Sequence, residues 1–107
     1  MKKILQLNFK FKVTRPELEK HWLHSAPKFG PDGEVKGLLW KIWLMNEAEK
    51  TAGGIYLFED EASVEAYLKG PILAAASKCP LCSAYDIEVK VSDILLEHTK
   101  ITRGPVG

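Results

Sequence analysis

What this 107-residue chain has little of narrows its reading first. Lys and Arg together number 15 against 14 Asp and Glu, a net charge of +1, so no excess of one sign marks a partner. Without a basic stripe or a polybasic or amphipathic anchor, neither nucleic acid nor a membrane surface is the expected partner. No run approaches the ~20 consecutive apolar residues of a membrane span. Met1-Lys2-Lys3-Ile4-Leu5 begins like a signal peptide, but Gln6, Asn8, Lys10 and Lys12 break any apolar core such a signal would need. The expectation is a soluble cytoplasmic protein.

Cysteine is scarce as well. Both cysteines lie in Cys79-Pro80-Leu81-Cys82, after a predicted helix and before a predicted strand. Redox pairs usually sit at a helix amino terminus, where the dipole favours a thiolate, and a zinc site would need a second set of ligands. They read as ordinary thiols in a tight connection, with no metal and no cofactor implied.

What is present is patterned. Leu5, Leu7, Phe9 and Phe11 alternate with Gln6, Asn8, Lys10 and Lys12, the period of a strand. Thr14 stands three before Glu17, the spacing of a capping box, and Pro16 fits a first helical turn. Leu18, Trp22, Ala26 and Phe29 continue at helical spacing until Pro27, Gly30, Pro31 and Gly33 break the chain. The second strand, 36 to 46, is apolar on both faces, with Leu38, Trp40, Ile42 and Leu44 on one and Leu39, Trp43 and Met45 on the other. A polar turn leads into a third strand, 52 to 59, where Gly53 and Gly54 predict a bulge or a close backbone approach. Asp60 is a good N-cap for a second helix whose apolar face is Val64, Tyr67 and Leu68, and Gly70-Pro71 interrupts it.

Ile72 to Lys78 predicts a further helical turn or two, and alternation from Tyr85 to Val91 predicts a fourth strand. With no repeat, linker or composition shift, residues 1–107 form one domain, of which 93–107 is a C-terminal tail expected to be loose at its end. The order βαββαβ predicts an α+β ferredoxin-like fold: one four-stranded antiparallel sheet with both helices on one face. The other face needs a cover, and a second copy packed sheet to sheet supplies one.

Leu5-Gln6-Leu7-Asn8-Phe9, Gly37-Leu38-Leu39-Trp40-Lys41-Ile42-Trp43 and Ala52-Gly53-Gly54-Ile55-Tyr56-Leu57-Phe58 resemble the YdhR-like monooxygenases, a branch of the dimeric α+β barrel superfamily. The likeness runs from about residue 4 to residue 92. It implies a homodimer, a dimeric α+β barrel, with a small-molecule pocket between sheet and helices in each subunit. It also implies an oxygenase, by analogy with relatives in which a substrate carbanion reacts directly with O₂. Haem-degrading relatives pair an Asn on the first strand with a Trp on the third and a His on the second helix. Asn8 matches the first, but Phe58 and Tyr67 replace the other two, which removes that route to iron ligation.

The candidate catalytic residues are Asn8, Tyr56 and His24. Asn8, placed by the resemblance on the helix side, is expected to orient a carbonyl or oxygen species with its amide. Tyr56 is a poor base at a pKa of ~10 but a good donor to a developing oxyanion. His24, or a water, is expected to take the proton, since imidazole titrates near ~6.5. Trp40, Trp43, Phe58 and Tyr67 are candidate ligand contacts; Trp40 and Trp43 lie on opposite faces, so at most one lines the pocket. The substrate expected is small, planar and apolar, phenolic or quinonoid. The alternative is a non-enzymatic small-molecule-binding or stress-related protein using the same cavity, with haem binding a further rival.

Overall fold

The computed structural model describes residues 1–71 and 85–106. The predicted turns from Ile72 to Lys78 and the Cys79-Cys82 element lie outside them. Among the described residues the order is β1 (Lys3–Lys10), α1 (Arg15–Ser25), a 3-10 turn (Ala26–Phe29), β2 (Leu38–Asn46), β3 (Thr51–Phe58), α2 (Glu61–Leu68), β4 (Tyr85–Asp93) and α3 (Leu96–Ile101). The strands form one antiparallel sheet in the order β2-β3-β1-β4. This is the ferredoxin-like α+β arrangement expected from the pattern.

The helix starts follow their caps. Thr14 Oγ1 accepts the Glu17 amide at 3.4 Å and donates to the Glu17 carboxylate at 3.0 Å, so the box closes through the hydroxyl rather than the Thr14 amide. At α2 the Asp60 carboxylate accepts the Ser63 amide at 2.8 Å, and hydrogen bonding from the Ser63 side chain, then from this amide, holds its pKa below the ordinary value. Such caps contribute about 1 kcal/mol each.

Strand register decides which face is buried. Leu5 pairs with Tyr56 and Leu7 with Gly54, so the apolar set of β1 faces the helices with Tyr56 and Phe58. Leu5, Leu7, Tyr56, Phe58, Val64 and Tyr67 form one core cluster under α2. Phe11, Leu18 and Ala52 form another under α1, flanked by Phe9, Trp22 and Met45. At about 1.5–3 kcal/mol for each large side chain taken from water, these clusters are what hold the helices down.

One local feature of β2 differs from the predicted pattern, and at the β3 glycines the close backbone approach, not the bulge, is the predicted alternative that holds. A bulge lies between Leu38 and Trp40, where Leu38 pairs with Phe58 and Trp40 with Leu57. The extra residue turns Leu38 onto the helix side, against the α2 cluster, and leaves Leu39 exposed. The glycines of β3 make no bulge: the register with β1 runs unbroken, and Gly53 is there because a side chain would strike the Leu7 carbonyl.

The opposite face carries Ile4, Gln6 and Asn8 from β1, Trp40, Ile42 and Leu44 from β2, and Ile55 and Leu57 from β3. The end of the chain, expected to be loose, is anchored here. The Trp40 indole donates to the Pro105 carbonyl at 2.8 Å, the Lys2 amine to the Val106 carbonyl at 2.7 Å, and Val106 is 5% exposed. Ile4, Trp40, Leu95, His98, Pro105 and Val106 are among the residues lining a cavity of about 480 Å³ at this end of the face.

Candidate functional site

The helix-facing side of the sheet gathers aromatic rings from five elements. Trp43 of β2 meets Trp22 of α1 at 5.1 Å and Phe29 of the 3-10 turn at 5.4 Å between ring centroids. Phe29 reaches on to Tyr56 and Tyr67, and Tyr56, Phe58 and Tyr67 lie within 5.3–6.1 Å of one another. Offset and edge-on packing at such distances adds about 0.5–1.5 kcal/mol a pair beyond the buried area. Pro27 and Gly30 stop α1, and the turn between them swings Phe29 inward as the hub of the layer.

Two polar groups sit inside this layer. The phenols of Tyr56 and Tyr67 are 3.2 Å apart, one donating to the other. Burial, then Tyr67, pushes the Tyr56 phenol far above its ordinary pKa, and burial raises Tyr67 too. Both are therefore protonated at neutral pH, and one O–H of the pair is left for a ligand. Next to them the Lys41 amine lies 3.4 Å from the Trp43 ring centroid, 3.9 Å from that of Phe29 and 4.5 Å from that of Tyr56.

The Lys41 stem lies over Gly54, where a Cβ would stand 3.0 Å from its Cε, so a side chain at 54 would crowd it. Among the described residues no carboxylate or carbonyl meets its amine; it faces rings. Ring faces return about 0.5–2 kcal/mol to a cation, against several kcal/mol for taking an ammonium out of water. Desolvation wins, and the pKa of Lys41 is pushed down to about 7.

Tyr56, Phe58 and Tyr67 are thus brought together, as the alternation and helical spacing of the sequence place them, and strand register adds Trp43, the choice between Trp40 and Trp43 that the sequence left open. Three candidates stand elsewhere. Asn8, expected to face the helices, pairs with Gly53 on the opposite face, because the leucine set of β1 and not its polar set is buried. Trp40 is on that same far face, bonded to Pro105. His24 is exposed in the last turn of α1, whereas Tyr56 is 3% exposed.

Lys41 was not among the candidates. Its signal was a charge within a strand, Leu38–Asn46, that is otherwise apolar on both faces. The space between sheet and helices, expected to be a pocket, is filled by these rings around Lys41. Tyr67 carries the layer to its rim, where with Val35, Ser63, Ala66 and Gly70 it lines a cavity of about 220 Å³. No group of three His, Cys, Asp or Glu able to hold a metal occurs among the described residues. For haem held as in the haem-degrading pattern the residues do not fit, since Phe58 has no donor and the Tyr67 phenol is engaged by Tyr56. No helix among the described residues is long and apolar enough to cross a membrane.

Residues 4–105 match the family described as "Putative mono-oxygenase ydhR". Among solved structures the fold is similar to that of SnoaB, a cofactor-independent oxygenase from Streptomyces nogalater, at 16% identity over 87% of this chain and 92% of that one, TM-score 0.65. It is similar to the heme-degrader MhuD from Mycobacterium tuberculosis, with two hemes bound in its active site, at 20% identity over 86% and 95%, TM-score 0.63. It is also similar to a dimeric ferredoxin-like protein of unknown function from Jannaschia sp. CCS1, at 17% identity over 86% and 99%, TM-score 0.56. Comparison with curated proteins gives no match.

Proposed function

The chain belongs to the ydhR mono-oxygenase family, and from that membership we propose that it oxygenates a small, planar, apolar phenolic or quinonoid substrate without a tightly bound cofactor. The observation that carries this reading is the Lys41 amine held among Phe29, Trp43 and Tyr56, next to the Tyr56–Tyr67 phenol pair. Ring surfaces suit a planar ligand, and a half-buried base beside a donor is the pair an enolate-forming step requires. SnoaB, described as a cofactor-independent oxygenase, supports the choice of chemistry by analogy.

In the proposed reaction Lys41, a large fraction of it neutral near pH 7, removes a proton from a ring CH₂ conjugated through the flanking aromatic rings to a carbonyl. A phenol of the pair donates to the enolate oxygen that forms. The carbanion reduces O₂ and joins it as a peroxide. Loss of water from that peroxide, with the proton returned by Lys41, leaves C=O where CH₂ stood, so CH₂ + O₂ gives C=O + H₂O. Lys41 takes the part first assigned to His24, and Asn8 has none. The ligand enters from the Tyr67 rim, and Phe29, on a short turn, is the ring proposed to move aside for it.

A homodimer belongs to the same proposal. Ile42 is 47% and Leu44 36% exposed on the far face of the sheet, and a second copy laid sheet to sheet covers them. The dimeric protein from Jannaschia sp. supports this by analogy.

Oxygen uptake with 1,8-dihydroxyanthrone as probe tests the reaction. Uptake well above buffer, reduced at least about tenfold in Lys41→Met and in Tyr67→Phe, is the expected result for loss of a general base or an oxyanion donor. A wild-type rate equal to buffer overturns it. Tight binding of the probe with its return unchanged after hours in air favours the non-enzymatic binding protein instead.

A further inference from the structure

Lys41 invites a second question, independent of oxygen chemistry. Lys41 is half-buried, and a lysine so drawn in normally ends on a carboxylate or a carbonyl within reach, because its N–H donors need partners. Here the amine ends against ring faces, with its stem laid over Gly54 and no acceptor among the described residues. An amine so placed keeps its lone pair, and desolvation in an apolar setting is one of the recognised ways of making a lysine nucleophilic.

We propose that Lys41 is a covalent capture site for aromatic aldehydes and ketones, which it binds as an imine within the Phe29, Trp43 and Tyr56 rings. The Nζ lone pair forms a bond to the carbonyl carbon, and the C=O π pair becomes an alkoxide that takes a proton from the nitrogen. The carbinolamine then loses water, its hydroxyl leaving as a proton is given up by nitrogen, and the C=N bond remains. No electrons enter or leave and one water is released, so the step needs no oxidant. Any aryl group joined to Nζ extends from a position already flanked by three rings, and that selects an aromatic carbonyl over an aliphatic one. The inference does not rest on the oxygenase reading.

Selectivity is the measurable consequence. At pH 7 an amine with a pKa of about 7 is about half neutral, whereas an ordinary lysine near ~10.4 is neutral less than about once in a thousand. The experiment treats the full chain at pH 7 with benzaldehyde and cyanoborohydride, which fixes the imine as a benzylamine, and locates the added mass by peptide mapping. Lys41 is expected to be labelled alongside the α-amino terminus and at least about tenfold ahead of every other lysine. That lead is expected to vanish in urea and to fall at pH 5.5. Labelling spread over the exposed lysines with Lys41 last, or a Lys41 lead that survives in urea, overturns the inference. The wild-type map decides the matter alone, so it does not depend on a Lys41 variant folding. The oxygenase reading fails separately, by oxygen uptake.

Discussion

The two faces of one sheet are built from the same strands and have opposite characters. Toward the helices, Leu5, Leu7, Tyr56 and Phe58 are sealed under α1 and α2, and the polar atoms among the rings there include the two paired phenols and the Lys41 amine. On the far side Ile42 and Leu44 remain exposed, Gln6 and Asn8 mix with them, and the end of the chain covers the part near Trp40. The near face therefore holds groups whose titration a low dielectric shifts, and the far face leaves apolar side chains open to water.

Stability separates the faces most sharply. Phe58 is 0% exposed and stacks on Tyr56 at 6.1 Å, so Phe58→Ala is expected to cost about 3–5 kcal/mol in denaturant unfolding, from lost transfer energy and the cavity left behind. Ile42→Ala on the far face is expected to cost under about 1 kcal/mol per isolated chain. Equal costs would mean that the far face is as well packed as the near one.

The next effect is electrostatic. Lys41 has a folded pKa near 7, depressed by desolvation from the ordinary lysine value, so between these pH values the unfolded chain holds more proton than the folded one. Stability due to Lys41 therefore rises with pH from about 7 to 10, at no more than about 1.4 kcal/mol per pH unit, and is lowest below 7 where both states are charged. Lys41→Met is expected to flatten this slope in unfolding titrations. An unchanged slope would show that the amine reaches water.

Smaller again is the tie between Trp40 and the chain end. Trp40→Phe keeps a ring on the far face and removes the 2.8 Å bond to Pro105, an expected loss of about 1 kcal/mol with faster proteolysis after residue 93. No change in cleavage would mean that Val106 alone holds the segment.

The sequence made the strands, the caps and the near-face set Tyr56, Phe58 and Tyr67 legible, because period-two and helical spacing report burial directly. It misplaced what spacing does not report. One bulge residue moved Leu38 to the other side, a change that no alternation count registers. The cover over Trp40 is a backbone carbonyl, which has no residue signature at all. Lys41 was visible as a charge in an apolar strand, but which groups close around it depends on Phe29, and Phe29 is placed by a turn rather than by periodicity.

Asn8 gives the finest test of the comparison, because its expected effect is the smallest. Alternation made it polar-set and the family likeness made it a site residue, and both could hold only if the polar side of β1 faced the helices. The register with Gly53 puts it on the far face, on the other side of the sheet from Tyr56. Asn8→Ala is therefore expected to shift stability by no more than about 0.5 kcal/mol in the isolated chain and to leave anthrone-dependent oxygen uptake within about twofold of wild type. Its effect, if any, belongs to association, read by sedimentation. A tenfold loss of uptake with the dimer intact would mean that the far face takes part in the chemistry, and the division between a reacting face and a contact face would fall.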